Sequence, residues 1–324
     1  MIRLSEKERE ILAVVQTDAE LSVQEIVDRT GFAAHSVRYH IGNLQTRGII
    51  GQPLPFINVY RLGYTEYVLY MSLSAEGQAK REELLDALSQ TAAVSWVLQV
   101  GGQYQYVVSI CASHVQHVAK LLNKLCQHYG NVFAEKEMSL RLAFTYYGRR
   151  YLSDAETAPT RLHVGGADEL VEVDDVDRKI LSAMAHGEYK SVSHLSRLTG
   201  VPNTTLERRK RRLEEQRVVD GYTYQLRASD IGVQQFKLLI RVKGVNPDLT
   251  RALYDFCEET LGVVFFVECI GTWDYEFGIE VEEAATASDL SQSLHTKFQQ
   301  EVLGIHMVPV ISYLKRHSYP FYEN

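Results

Sequence analysis

Cysteine is scarce in this chain, four in 324 residues, and Cys111, Cys126, Cys257 and Cys269 form no Cys-x-x-Cys pair. That spacing excludes the usual zinc and disulfide frameworks and suits a reducing cytoplasm. Long apolar runs are also missing, since no stretch approaches the ~18 uncharged apolar residues of a membrane span. The opening Met1-Ile2-Arg3-Leu4-Ser5-Glu6 turns polar at once, without the apolar core of a signal peptide. Enzyme signatures are absent as well. Gly165-Gly166 lacks the strand-to-helix setting of a phosphate loop, and there is no nucleophile elbow, Walker motif or HExxH. His114, His117 and His128 have no carboxylate or cysteine at metal-ligand spacing. The expectation is a cytoplasmic protein that is not an enzyme and has neither metal nor cofactor. The composition is ordinary for globular domains, 45% hydrophobic and 23% charged. A formal net charge of -7 excludes an overall basic coat and leaves room for a local basic face.

The dominant feature is an internal repeat. Shifting the chain by 169 residues places Arg9, Ile11 and Leu12 on Arg178, Ile180 and Leu181. The same shift puts Ser22, Val23, Thr30 and Gly31 on Ser191, Val192, Thr199 and Gly200, and Gly102 and Tyr106 on Gly271 and Tyr275. It holds without gaps to Met138 and Met307. One two-part unit is therefore written twice. The expected boundaries are 1–60 and 173–229 for a helical head, 61–152 and 230–324 for an α/β sensor, and 153–172 for a polar linker.

Each head reads as three helices. Ser5 with Glu8 and Ser22 with Glu25 form capping boxes, Gly31 suits a helix C-terminus, and Val37, Ile41 and Leu44 share one face of a third helix over about 34–47. This is the helix-turn-helix layout, whose last helix enters the DNA major groove. Residues 49–60 are expected as an extended wing. The candidate DNA contacts of the first head are His35, Arg38, Tyr39, His40 and Asn43, with Arg47 beyond them. Those of the second are Thr204, Thr205, Arg208, Arg209, Arg211 and Arg212. Lys210 stands where the first copy has Ile41, so its ammonium must snorkel. Residues 1–60 carry six basic and seven acidic side chains, whereas 173–229 carry eleven and eight. Because phosphate contacts dominate non-specific affinity, the second head is expected to grip harder. The plainer alternative is that 208–212 is only a solvated helix face.

Each sensor reads as βαββαβ, the ferredoxin-like order, giving an α+β fold. Val263-Val264-Phe265-Phe266-Val267 is more apolar than one buried sheet face requires, and such surface usually meets a partner. Arg208-Arg209 with Arg212-Leu213-Glu214-Glu215, then Val218-Val219-Asp220-Gly221-Tyr222-Thr223, resembles the recognition helix and hinge strand of the Lrp/AsnC regulators. Gly271-Thr272-Trp273-Asp274-Tyr275 resembles the Gly-x-x-Asp-Tyr turn of their RAM (ACT-like) sensor. The resemblance implies homodimerisation through the sensors, further assembly, and a small effector, often an amino acid, near these turns. Effector contacts implied are Gly271, Thr272, Trp273, Asp274 and Tyr275, with Gly102 and Tyr104 in the first copy. Gln105 replaces Asp274 there and cannot pair with an ammonium as an ionised Asp does. A turn aspartate that bonds backbone is the alternative for Asp274. Siroheme decarboxylases share this architecture, so an enzyme acting on a tetrapyrrole is one rival reading; an effector-binding module without DNA binding is another.

Overall fold

The structure, a computed structural model, describes residues 4–153, 161–166, 169–187, 189, 191–226 and 231–317. The first unit opens with α1 (Glu6–Val15), α2 (Val23–Thr30) and α3 (Ala34–Thr46). Both capping boxes form, with Ser5 and Ser22 accepting from the N–H groups of Glu8 and Glu25 while those carboxylates accept in return. Gly31 takes φ 70° to close α2. Then come β1 (Leu54–Ile57), β2 (Thr65–Leu73), α4 (Ala75–Ala79), α5 (Arg81–Gln90), β3 (Val94–Val100), β4 (Tyr106–Ala112), α6 (Val115–Tyr129) and β5 (Phe133–Tyr146). A short strand, β6 (Leu162–Gly165), falls where the sequence reads as linker; Leu162 and Val164 are buried and His163 is exposed, a period-2 pattern too brief to stand out.

The second unit repeats the order with α7 (Asp175–Ala185), α8 (Val192–Thr199), α9 (Asn203–Glu215), β7 (Val219–Thr223), β8 (Gln234–Val242), α10 (Pro247–Glu259), β9 (Val263–Gly271), β10 (Tyr275–Val281), α11 (Ala284–Lys297) and β11 (Val302–Arg316). Asp174 and Asp177 make a further capping box on α7.

The two copies are interlocked rather than strung in series. The wing of each head is a single strand, and β1 pairs antiparallel with β7, Leu54 opposite Thr223. Ile57 and Val59 then bury in the second head beside Ile180, Leu181 and Leu213. Leu226, just past β7, buries in the first head beside Leu12, Leu44 and Ile50. Heads of about 60 residues bury little surface alone, and the exchange gives each core apolar side chains from the other.

The sensors join edge to edge. Each has the order β5-β2-β4-β3 or β11-β8-β10-β9, and the edges meet as β3 with β11 and β5 with β9. Every pairing is antiparallel and the ring closes through β2 with β5, so eight strands form a barrel. Closure is possible because β5 and β11, 14 and 15 residues long, outrun their own sheets and continue along the other's edge. At one joint Gly271 lies opposite Ser139, and a Cβ there would sit 2.5 Å from the Met138 carbonyl oxygen, so only glycine fits. Helices cover the outside. Leu69, Met71, Val108 and Val118 fill one outer core, and Leu238, Ile240, Leu253 and Phe277 the other. The surplus apolar character of β9 has its cause here: Val263 and Phe266 face the outer core while Val264, Phe265 and Val267 face inward.

Candidate functional site

The third helices turn their outer faces away from both cores. On α3, Val37 and Leu44 point inward, while His35, Arg38 and Tyr39 are exposed, Tyr39 at 68%. Asn43 is turned back, donating from Nδ2 to the buried Glu8 carboxylate at 2.7 Å, and Arg47 donates to the same oxygen at 2.8 Å. Burial opposes ionisation of Glu8, but the Ser5 N–H, Arg47 and Asn43 outweigh it and keep its pKa below the ordinary value. His40 is half-buried against the Tyr39 ring, 5.2 Å between centroids.

On α9 the basic run divides. Arg209 Nη1 meets Asp174 at 2.6 Å and Asp177 at 3.0 Å, and Arg212 also pairs with Asp177, whose side chain is fully buried. Asp174 and Asp177 raise the Arg209 pKa, and Asp174 is held down at about 2, chiefly by Arg209. Lys210 snorkels as its position requires, reaching Glu20 of the first head at 2.7 Å over the Tyr222 ring. Arg208 and Arg211 stay exposed, with Thr204 beside them and Thr205 half-buried. Arg38, Arg208 and Arg211 have no ion-pair partner among the described residues. The charge surplus of the second head therefore shrinks at its outer face, because Arg209, Lys210 and Arg212 are spent within the protein.

The Gly-x-x-Asp turn lies at the seam between the sensors. Trp273 is 3% exposed, its ring 4.9 Å from that of His306 and packed with Tyr70 and Tyr104 of the first sensor. Thr272 donates its hydroxyl to Met138 O at 3.4 Å, Asp274 Oδ2 accepts the Val242 N–H at 2.8 Å, and Tyr275 is bonded to Thr250. The Asp274 carboxylate thus ties two strands together. In the first copy Tyr104 is buried and Gly102 is exposed with φ 91°.

The barrel interior holds charges that sequence reading passed over. Arg141 donates two bonds to Glu276 at 3.0 and 3.2 Å and one to Glu66 at 3.4 Å; Lys237 also pairs with Glu276, and Tyr70 donates to it at 3.0 Å. Burial pushes the Glu276 pKa up, but Arg141 and Lys237 prevail and it sits at about 2. A second pair, Arg149 with Glu280 at 2.7 and 2.9 Å, closes the end facing the heads. Between the network and the wing strands lies a cavity of about 190 Å³. Its walls include Trp96, Phe144, Phe265 and Tyr313, with Phe56 and Tyr224 from the two heads. The available signal was a charge at an inward position of an apolar strand, Lys237 in β8 and Glu276 in β10.

Residues 4–50 match the family described as winged helix-turn-helix DNA-binding. Uncharacterised HTH-type transcriptional regulators of Pyrococcus horikoshii and Pyrococcus abyssi are each 26% identical over 121 residues, which is 37% of this chain and 75% of theirs. The crystal structure of the siroheme decarboxylase NirDL with an iron-uroporphyrin III analogue superposes with a TM-score of 0.63 at 12% identity. That likeness covers 98% of this chain and 96% of the other, so the two-unit fold is shared from end to end. The chain thus shares a winged helix-turn-helix head with HTH-type transcriptional regulators and a two-unit fold with NirDL. At 12% identity the whole-chain likeness establishes architecture and nothing about chemistry. Among the described residues no helix is long and apolar enough to cross a membrane.

Proposed function

We propose that the chain is a cytoplasmic, sequence-specific DNA-binding transcriptional regulator whose two heads engage one duplex. The observation that carries this reading is the pair of outward helix faces held in one interlocked body. His35, Arg38 and Tyr39 stand on one face, Thr204, Arg208 and Arg211 on the other, and β1 pairs with β7 between them. A repeated unit supplies within one chain the approximate twofold that helix-turn-helix dimers use to meet two half-sites. Unlike faces suit unlike half-sites. Arg209, Arg212, Asn43 and His40 position the reading helices from within, and the named outward residues contact DNA. The similarity to HTH-type regulators supports the same reading.

The test is duplex binding by fluorescence anisotropy, using DNA from upstream of the protein's own gene at low salt. Arg38→Ala with Tyr39→Ala and Arg208→Ala with Arg211→Ala should each weaken binding about tenfold or more, at ~1 kcal/mol or above per lost contact. Binding that depends on one head alone would overturn the two-headed engagement. Homo-oligomers are a further part of this proposal. Ile270, Ile311 and Leu314, 57%, 59% and 42% exposed on β9 and β11, are among the exposed apolar residues that could meet a second copy, and light scattering reads the result.

Effector control is proposed for the barrel cavity; at the Gly271–Tyr275 turn the Asp274 carboxylate accepts one backbone N–H, from Val242. A tetrapyrrole decarboxylase draws support from the shared fold. This half-open cavity, about 190 Å³, is smaller than the roughly 300–1,000 Å³ common for drug-sized ligands, which favours a small effector there over a tetrapyrrole. Release of CO2 from siroheme by the purified protein would reverse that preference.

A further inference from the structure

We infer that the cavity between the barrel and the heads is a binding site for a small planar aromatic carboxylate, and that its occupancy is felt by both wing strands. This rests on the regulator reading for its meaning but not for its chemistry. Four observations converge on it. The first is aromatic lining: Trp96, Phe144, Phe265 and Tyr313 line about 190 Å³, room for one substituted ring and not for a macrocycle, with Lys237 over the Trp96 and Phe265 rings and Arg316 over Tyr313.

The second is charge. The Arg141, Lys237, Glu66 and Glu276 quartet is balanced, as is Arg149 with Glu280. Arg316 is left over. It lies over the Tyr313 ring at 4.8 Å and donates to the Leu226 carbonyl, with no carboxylate partner among the described residues. The third is an orphaned donor. Arg141 is 5% exposed, lines the cavity and has a buried Nε without a hydrogen-bond partner, and a buried donor of this kind is costly unless something accepts from it. An anion beside Tyr313 would accept from Arg316, and from Arg141 Nε once that guanidinium turns toward the cavity, because Lys237 already fills the space over the Trp96 and Phe265 rings. No covalent step is involved.

The fourth is position. Pro55 and Phe56 beside β1's pairing with β7, and Thr223 to Gln225 at the end of β7, form the wall toward the heads. Arg149 and Arg316 both donate to Leu226 O, whose side chain sits in the first head's core. A ligand that draws Arg316 inward therefore acts on the strand that sets the spacing of α3 and α9. Neither parent unit alone has this wall, since it needs both hinges.

The probe is 4-nitrobenzoate, with 4-nitrobenzamide as its uncharged twin, titrated into the full chain at pH 7.5. Tryptophan emission is the readout, because Trp96 lines the cavity and Trp273, the other tryptophan, lies outside it. Saturable, partial quenching by the acid is expected, with the amide at least tenfold weaker. Arg316→Gln should bring the acid to the level of the amide, and Arg316→Lys should restore the preference, which separates charge recognition from misfolding. Quenching that does not saturate, or equal affinity for acid and amide, would overturn the site. In a second arm the acid should change duplex affinity at least threefold. An unchanged affinity would overturn the coupling to the wings. Selective acid binding by a chain that binds no duplex would support the site and sink the DNA-binding reading instead.

Discussion

Asp177→Asn separates the two uses of the basic third helix. In the structure Asp177 has no exposed side-chain surface and accepts from Arg209 and Arg212, while its other role is the capping box with Asp174. Removing a partner from a fully buried ion pair costs about 3–5 kcal/mol. Here the arginines are 21% and 41% exposed, so water takes over part of the interaction and the loss is discounted to about 2 kcal/mol. For a chain of 324 residues that lowers the Tm by about 3 °C, read by circular dichroism. The same change releases the Arg212 guanidinium next to Arg208 and Arg211, while Arg209 keeps Asp174. Each new phosphate contact steepens the dependence of log K on log salt by about 0.9, so the slope should grow by up to about 1. Anisotropy titrations over 50–200 mM salt measure it. A lower Tm with an unchanged salt slope would show that α9 does not lie along phosphates.

Three further outcomes follow from the same coordinates. Stability should decline in acid through the barrel network. Glu276 has its pKa depressed to about 2, so its contribution is complete above the unfolded value near 4.5 and fades as pH falls through about 2; Glu276→Gln should flatten that limb of a pH-melting curve. Gly278→Ala should destabilise by about 2–3 kcal/mol, because a Cβ would lie 2.0 Å from the Phe265 ring. Phe265→Leu should recover more than half of that loss in the double variant, and additive losses in denaturant titrations would refute the contact. Glu20→Gln removes the Lys210 partner contributed by the first head, and as a partly exposed pair it should shift stability by less than about 1 kcal/mol.

Local structure was the most legible level of this protein. Ser5 with Glu8, Ser22 with Glu25 and the glycines at 31 and 200 mark helix ends by short-range chemistry, and the caps form as written. Strand identity was legible from the apolar runs, and the strands of both sensors fall in the expected order. Strand partners were not. Nothing local distinguishes β1 paired within its own head from β1 paired with β7, or tells that β5 will outrun its sheet to reach β9. The division of the arginines on α9 was readable in principle, since Asp177 stands at the position of Glu8 and both carboxylates hold the third helix. Counting charge over a whole head concealed it, because the count cannot separate a cation facing solvent from one already paired. The cavity depends on cross-copy pairing and so lay beyond sequence reading altogether.

The central claim is that one chain places two unlike reading helices on one duplex. Hydroxyl-radical footprinting on fragments selected from a random duplex library tests it most directly. Two protected patches are expected on one DNA face, about 10 base pairs apart, with dissimilar sequences. Arg38→Ala with Tyr39→Ala should erase one patch and Arg208→Ala with Arg211→Ala the other. A single patch, or a library from which no sequence is enriched, would contradict the claim.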